Sequence, residues 1–148
     1  MYCEIVTSNS DRFAFDRDWS RTVAERAAGP LSGVRAFAAD EIVTHASQKR
    51  LLAQRYGVQA ADMETLAVSI GLHAAGVEVA ALRVGSDAAA DDLPELNRTL
   101  DGSGGLDAFA LALAMVRRPL AGARLALNGT RALGALERAV YVLLTAGA

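Results

Sequence analysis

The stretch "ADMETLAVSIGLHAAGVEVAALRVGSD", residues 61–87, decides the fold class. It predicts a helix over about residues 64–75, which Gly76 ends. The near-continuous apolar run of residues 77–85 is typical of a strand that is buried on both faces of a parallel sheet. Because residues 58–61 also indicate a short strand, the region forms a predicted β-α-β unit. The pattern therefore favours an α/β fold.

The chain on either side of this unit continues the alternation and then becomes helical. Upstream, strands are predicted over residues 2–7 and 34–39, with a helix from Asp16 or Asp18 to Ala27 and another from Thr44 or Ser47 to Arg55. Downstream, residues 88–105 are polar and rich in turn formers, which predicts an exposed loop. Helices are then expected over residues 106–117, 121–127 and 130–144.

Composition excludes several classes of protein. A length of 148 residues with 52% hydrophobic and 22% charged residues is typical of one globular domain. A formal net charge of -2 argues against nucleic acid as a partner, since phosphate binding needs clustered positive charge. The single cysteine, Cys3, cannot form an intramolecular disulfide, and with no signal peptide predicted we expect a cytoplasmic protein. His45 and His73 lack metal-ligand spacing, so no metal site is expected.

Acidic residues follow two successive predicted strands. Asp62, Met63 and Glu64 close the first strand, and Ser86 with Asp87 closes the second. In parallel α/β sheets, ligands bind outside the carboxyl ends of the strands. If the strands are neighbours, Glu64 and Asp87 lie at the same edge of the sheet. One carboxylate can then bind the hydroxyls of a ligand while the other donates a proton. The alternative is structural: Asp62 caps the helix, and an Asp after a strand is ordinary turn chemistry.

Residues 61–87 also resemble the signature of the purine nucleoside phosphorylase and nucleosidase superfamily. In that family a strand ends in a Met-Glu pair, a helix follows, and a hydrophobic strand ends in Arg-x-x-Ser-Asp, as "RVGSD" does here. Residues 45–65, "HASQKRLLAQRYGVQAADMET", are similar to the family's preceding helix and strand. Residues 106–140, with their Arg-Arg-Pro, are similar to the hopanoid-associated phosphorylase branch. The resemblance implies a partial phosphorylase-type three-layer domain, with a mixed central sheet flanked by helices and a helical C-terminus.

The resemblance implies cleavage of the N-glycosidic bond of an adenine nucleoside, with adenosylhopane as a candidate substrate. Glu64 would accept hydrogen bonds from ribose hydroxyls, Met63 would pack against the sugar, and Asp87 would help protonate the purine. Arg83 and Ser86 flank Asp87 and would orient it, although Arg83 is equally suited to pair with Asp62 or another carboxylate. No cofactor is implied beyond phosphate as a co-substrate. The alternative reaction is hydrolysis, as in methylthioadenosine or S-adenosylhomocysteine nucleosidases.

The sequence departs from the family in two places. The glycine-rich phosphate loops of the family's N-terminal half have no counterpart, and Ile42 stands where many of its nucleosidases place an aromatic that stacks on the base. Residues 1–148 are therefore expected to form a single superfamily domain that lacks the family's N-terminal half. The chain is then a shortened enzyme, one half of a split enzyme, or a non-catalytic homologue.

A partial sheet would expose apolar surface, which favours a homo-oligomer or association with the missing N-terminal half. The last predicted helix carries an apolar stripe, and the hopanoid resemblance makes a membrane surface a weaker candidate partner. The expected ligand is a small purine nucleoside.

Overall fold

A mixed four-stranded sheet forms the centre of the computed structural model, which describes residues 1–27, 31–99 and 107–145. Its strand order is β2-β1-β3-β4. Strand β1 is antiparallel to β2 and parallel to β3, which is in turn parallel to β4. The strands are β1 (Tyr2–Val6), β2 (Arg12–Ala14), β3 (Val34–Ala38) and β4 (Ala60–Asp62).

Helices flank the sheet and make up the C-terminal part. They are α1 (Arg17–Arg26), α2 (Ala46–Tyr56), α3 (Thr65–Ala74), a 3₁₀ turn (Asn97–Thr99), α4 (Ala108–Arg117) and α5 (Pro119–Thr145). The predicted fold class, an α/β domain with a mixed central sheet flanked by helices and a helical C-terminus, is confirmed. None of the described helices combines the length and the apolarity that crossing a membrane requires.

Local capping explains where two of the helices begin. Asp16 Oδ1 accepts the Trp19 N–H over 2.6 Å at the start of α1, so Asp16 rather than Asp18 is the cap. The predicted caps of α2, Thr44 and Ser47, are wrong. The N-cap position is His45, whose side chain makes no capping bond. The Ala46 N–H instead donates to Asp92 Oδ1 over 2.7 Å, so the cap comes from a distant loop.

Both faces of the sheet bury apolar side chains. Neighbouring residues in a strand point to opposite faces, so Ile5 and Val6 of β1 enter different clusters. One cluster consists of Tyr2, Ile5, Phe15, Ala36 and Ala81. The other consists of Val6, Phe37 and Val58. This two-sided burial is what a layered α/β domain requires.

The segment of residues 77–85 does not form the predicted strand. Its described backbone pairing with the sheet is an isolated antiparallel bridge between Tyr2 and Ala81, where the Tyr2 N–H donates to the Ala81 carbonyl over 2.9 Å. Beyond this bridge, both edges of β1 are occupied, by β2 and β3. The segment therefore crosses the start of β1, and Val77 and Val84 remain exposed.

Two further predictions for the C-terminal half are wrong. Residues 119–145 form one continuous helix, so the predicted break near residue 128 is absent. Within the described part of the predicted exposed loop, four residues are buried: Leu93, Pro94, Leu96 and Thr99. Its remaining residues, 100–105, and the predicted helix start at Leu106 lie outside the described residues.

Candidate active site

Asp62 joins the end of β4 to the start of α3. Its Oδ1 accepts the N–H groups of Glu64 over 3.0 Å and of Thr65 over 2.6 Å, so Asp62 satisfies backbone donors at the start of α3 as predicted, although the residue at the N-cap position is Glu64. Its Oδ2 accepts Arg83 Nε over 2.8 Å and the Tyr2 hydroxyl over 3.4 Å. Arg83 is thus the partner of Asp62, which was one of the two alternatives that the sequence left open.

The contacts among Asp62, Tyr2 and Arg83 shift the pKa values of all three side chains. Burial opposes the ionisation of Asp62, but hydrogen bonds from Thr65, Arg83 and Glu64 outweigh it, so the pKa of Asp62 lies below its ordinary value. Desolvation and the Asp62 charge raise the pKa of Tyr2. Desolvation lowers the pKa of Arg83, but its hydrogen bond and attraction to Asp62 raise it further, to a net increase. Asp62 and Arg83 are therefore held as a charged pair.

Met63 and Glu64 immediately precede α3, and the Glu64 side chain is largely in solvent. The Glu64 side chain is 81% exposed, and its Oε2 lies 3.9 Å from Arg83 Nη2. Met63 is 42% exposed. The carboxylate of Glu64 is therefore accessible to a ligand hydroxyl, while the neighbouring guanidinium keeps positive charge beside it.

Asp87 contacts a different part of the fold. Its Oδ2 forms an ion pair with Lys49 Nζ of α2, and its Oδ1 accepts the Ser86 hydroxyl over 3.1 Å. Lys49 Nζ also donates to the carbonyls of Ala88 over 3.1 Å and of Asp91 over 2.8 Å. Of the two residues that the sequence places beside Asp87, Ser86 donates to its carboxylate, whereas Arg83 bonds to Asp62.

The segment after Asp87 is fastened to the segment that enters α2. The Leu93 N–H donates to the Thr44 carbonyl over 2.8 Å. Asn97 makes two bonds to the backbone of Ile42: Oδ1 accepts its N–H over 2.8 Å, and Nδ2 donates to its carbonyl over 3.0 Å. With the Asp92 cap of α2, these contacts hold residues 86–99 in place although the segment is mostly irregular.

A cavity of about 250 Å³ opens beside Asp87. Ser86, Asp87 and Asp91 line one side, and Arg124 and Asn128 of α5 line the other. Its volume is close to the lower end for small-molecule sites, roughly 300 Å³. Glu64 is not among its lining residues, and in the described part of the chain Glu64 and Asp87 share no hydrogen bond or ion pair. The structure therefore does not bring the two carboxylates into contact.

The family model described as the Phosphorylase superfamily matches residues 5–117. The chain belongs to the phosphorylase superfamily. The matched range contains every predicted site residue: Met63, Glu64, Arg83, Ser86 and Asp87. Membership suggests an enzyme of the nucleoside phosphorylase or nucleosidase type, while the hopanoid-associated branch stays a prediction. Comparison with curated proteins and with solved structures gave no significant match.

Two residues of this superfamily member's candidate site were not anticipated from the sequence. Tyr2 reaches Asp62 from 60 residues away, and Lys49 reaches Asp87 from 38 residues away. The one available signal was that Lys49 is the only lysine in a chain whose other cations are arginines. Among the described residues, no group of three or more His, Cys, Asp or Glu side chains could hold a metal ion.

Proposed function

We propose that this phosphorylase superfamily member cleaves the N-glycosidic bond of an adenine nucleoside, with phosphate as co-substrate and adenosylhopane among the candidate substrates. One observation carries the proposal: Asp87, inside the family-matched range, lines a cavity of about 250 Å³ beside Ser86. A carboxyl group in such a cavity can exchange a proton with a ring nitrogen of a bound base.

The reaction would break the bond between the anomeric carbon and the base nitrogen. The bonding electrons leave with the base. Asp87, protonated from solvent when the nucleoside binds, would give that proton to the imidazole nitrogen and return to the carboxylate that pairs with Lys49. A phosphate oxygen then bonds to the anomeric carbon, giving adenine and a ribose 1-phosphate. Positive charge grows on the sugar in an oxocarbenium-like transition state, so a carboxylate that holds the ribose hydroxyls binds more tightly as the reaction proceeds.

The residues around α3 are suited to the sugar side of this reaction. The exposed Glu64 carboxylate would accept hydrogen bonds from the ribose hydroxyls, and the half-exposed Met63 would pack against the sugar ring. Arg83, held by Asp62, would fix the strand end from which Glu64 projects. On the base side, Ser86 would orient Asp87 through its hydrogen bond.

Hydrolysis is the second candidate reaction, because departure of the base from a superfamily site of this kind can be followed by attack of either nucleophile. Water would then take the place of phosphate and the product would be the free sugar. A third candidate, a non-catalytic or partner-dependent homologue, is supported by the lack of a shared contact between Glu64 and Asp87.

The test is adenine release from adenosine and from 5′-substituted adenosines, measured with and without inorganic phosphate. Release that requires phosphate supports phosphorolysis, and release at the same rate without phosphate supports hydrolysis. No release from any of these substrates would contradict the enzymatic proposal.

Exposed apolar side chains support self-association of this chain. Val68, Ile70 and Leu72 of α3 are 59%, 53% and 40% exposed, which is unusual for a helix with so few polar residues. Size-exclusion chromatography with light scattering tests this proposal. A mass of twice 15.5 kDa or a higher multiple supports self-association, and a mass of 15.5 kDa contradicts it. We place the protein in the cytoplasm, which its single free cysteine favours.

A further inference from the structure

Lys49 lies in the first turn of α2 with its ammonium group against the turn that carries Asp87. It is the only lysine of the chain, and its side chain is 12% exposed. An ammonium group has three N–H donors. Here three acceptors surround it: the Asp87 carboxylate, the Ala88 carbonyl and the Asp91 carbonyl. The donors of this nearly buried cation are therefore saturated by one short stretch of chain.

This stretch has few internal restraints of its own. Residues 86–91 contain no helix or strand, and the Asp91 N–H to Ala88 carbonyl bond, at 3.0 Å, is the one backbone bond described within the turn. The side chain of Lys49 joins both ends of the turn, at Asp87 and at Asp91. The direction in which Asp87 points thus depends on a residue of α2, outside the Arg-x-x-Ser-Asp motif.

We propose that Lys49 is a positioning residue that fixes the Asp87 carboxylate at the wall of the cavity, ready to act on the base. This inference rests on the proposed function, because Asp87 is assigned its role there. Lys49 binds Asp87 Oδ2 and Ser86 binds Oδ1, so each carboxylate oxygen has a partner of its own and the carboxylate plane is set. Lys49 does not line the cavity, so it acts through Asp87 rather than on the ligand.

The chemistry of the position predicts that arginine would replace Lys49 only in part. A guanidinium is a rigid planar fork, whereas an ammonium group carries three rotatable donors, and three acceptors surround Nζ here. Lys49→Arg keeps the charge but places its donors differently, so it retains part of the positioning. Lys49→Met keeps the length of the side chain and removes all three donors.

A first experiment detects the contact between Lys49 and Asp87 without any assay of activity. Because Lys49 is the only lysine, ¹⁵N-lysine labelling gives a single side-chain ammonium resonance. We expect this resonance to be protected from rapid proton exchange in the wild-type chain and to be lost to exchange in Asp87→Ala. Equal exchange in the two proteins would overturn the proposal. Far-ultraviolet circular dichroism of both proteins checks that the variant is folded.

A second experiment measures base release by Lys49→Met, Lys49→Arg and Lys49→Ala. A displaced catalytic group costs about 10²-fold, so we expect kcat of Lys49→Met to fall by that factor while KM changes little. The kcat of Lys49→Arg should lie between those of the wild type and of Lys49→Met. Methylammonium should restore part of kcat in Lys49→Ala, which has room for it, but not in Lys49→Met. Arg50→Met, which removes an exposed cation from the same helix, is the matched control.

The outcomes separate this inference from the function on which it rests. If the wild-type chain releases no base, the proposed function fails, and the exchange measurement alone decides whether Lys49 holds Asp87. If the wild type is active and Lys49→Met keeps its full kcat, the proposed function stands and the positioning role is overturned. A change in KM alone, without rescue by methylammonium, would also overturn it.

Discussion

Arg83 Nε donates to Asp62 Oδ2 over 2.8 Å, and this bond links the strand end before Glu64 to the segment that leads into Asp87. The same guanidinium lies 3.9 Å from Glu64 Oε2. Asp62 is 8% exposed, and the buried Tyr2 hydroxyl also contacts its Oδ2. The two halves of the candidate site are therefore joined through a structural pair and not through contact between their own carboxylates.

Removing the carboxylate of Asp62 should destabilise the fold. Asp62→Ala leaves Arg83 and the Glu64 and Thr65 N–H groups without their acceptor. We expect a loss of about 2 kcal/mol in the free energy of unfolding, below the range for fully buried pairs because solvent screens the half-exposed Arg83. Urea denaturation measures it. Asp18→Ala, which removes an 89% exposed carboxylate, should change the stability little, and an equal loss in both variants would contradict the assignment.

The stability of the chain should fall in acid through Asp62. Its pKa is lower in the folded chain than the ordinary value of about 3.9, so the unfolded chain binds the proton first as the pH falls. The contribution of Asp62 is complete above that ordinary value and is lost as the pH falls through the lower, folded-state pKa. We would measure urea denaturation at a series of pH values from about 5 downward. The free energy of unfolding should decline more steeply with falling pH in the wild type than in Asp62→Asn. Parallel curves for the two proteins would refute this source of acid sensitivity.

Asn97 should stabilise the segment that follows Asp87. Asn97→Ala removes both bonds to the Ile42 backbone, at about 1 kcal/mol each, so a loss of about 2 kcal/mol is expected. Asn97→Asp keeps the acceptor for the Ile42 N–H but turns a carboxylate oxygen toward the Ile42 carbonyl, so this repulsion should make it at least as costly as Asn97→Ala. Hydrogen exchange at the Ile42 amide gives a local measurement. Unchanged protection of this amide in Asn97→Ala would show that the pairing does not form in solution.

Local patterns predicted much of the secondary structure. The strands near residues 2–7 and 34–39 and the cap at Asp16 follow from short-range periodicity and capping chemistry, and the structure confirms them. Residues 77–85 have the composition of a buried strand, yet they form only one bridge. Composition reports that a segment is apolar, but it does not report whether the segment pairs with a strand of the sheet.

In the candidate site, too, the local contacts could be predicted from the sequence and the long-range contacts could not. Asp62 and its cap were predictable, because the acceptor and the two N–H groups lie within three residues of each other. The contacts of Lys49 with Asp87 and of Asn97 with Ile42 span 38 and 55 residues. Pairings at that range depend on how the elements pack, and a single sequence does not encode them in any local spacing.

The most direct test of the central claim, that Glu64 and Asp87 act on a nucleoside, compares kcat/KM for adenine release in four variants. These are Glu64→Gln and Asp87→Asn, with Glu78→Gln and Asp18→Asn as exposed, charge-matched controls. Loss of a proton donor or of charge stabilisation lowers the rate by about 10²-fold or more, so both site variants should fall by at least that factor while the controls match wild type. Site variants that keep the kcat/KM of the wild-type chain would contradict the account.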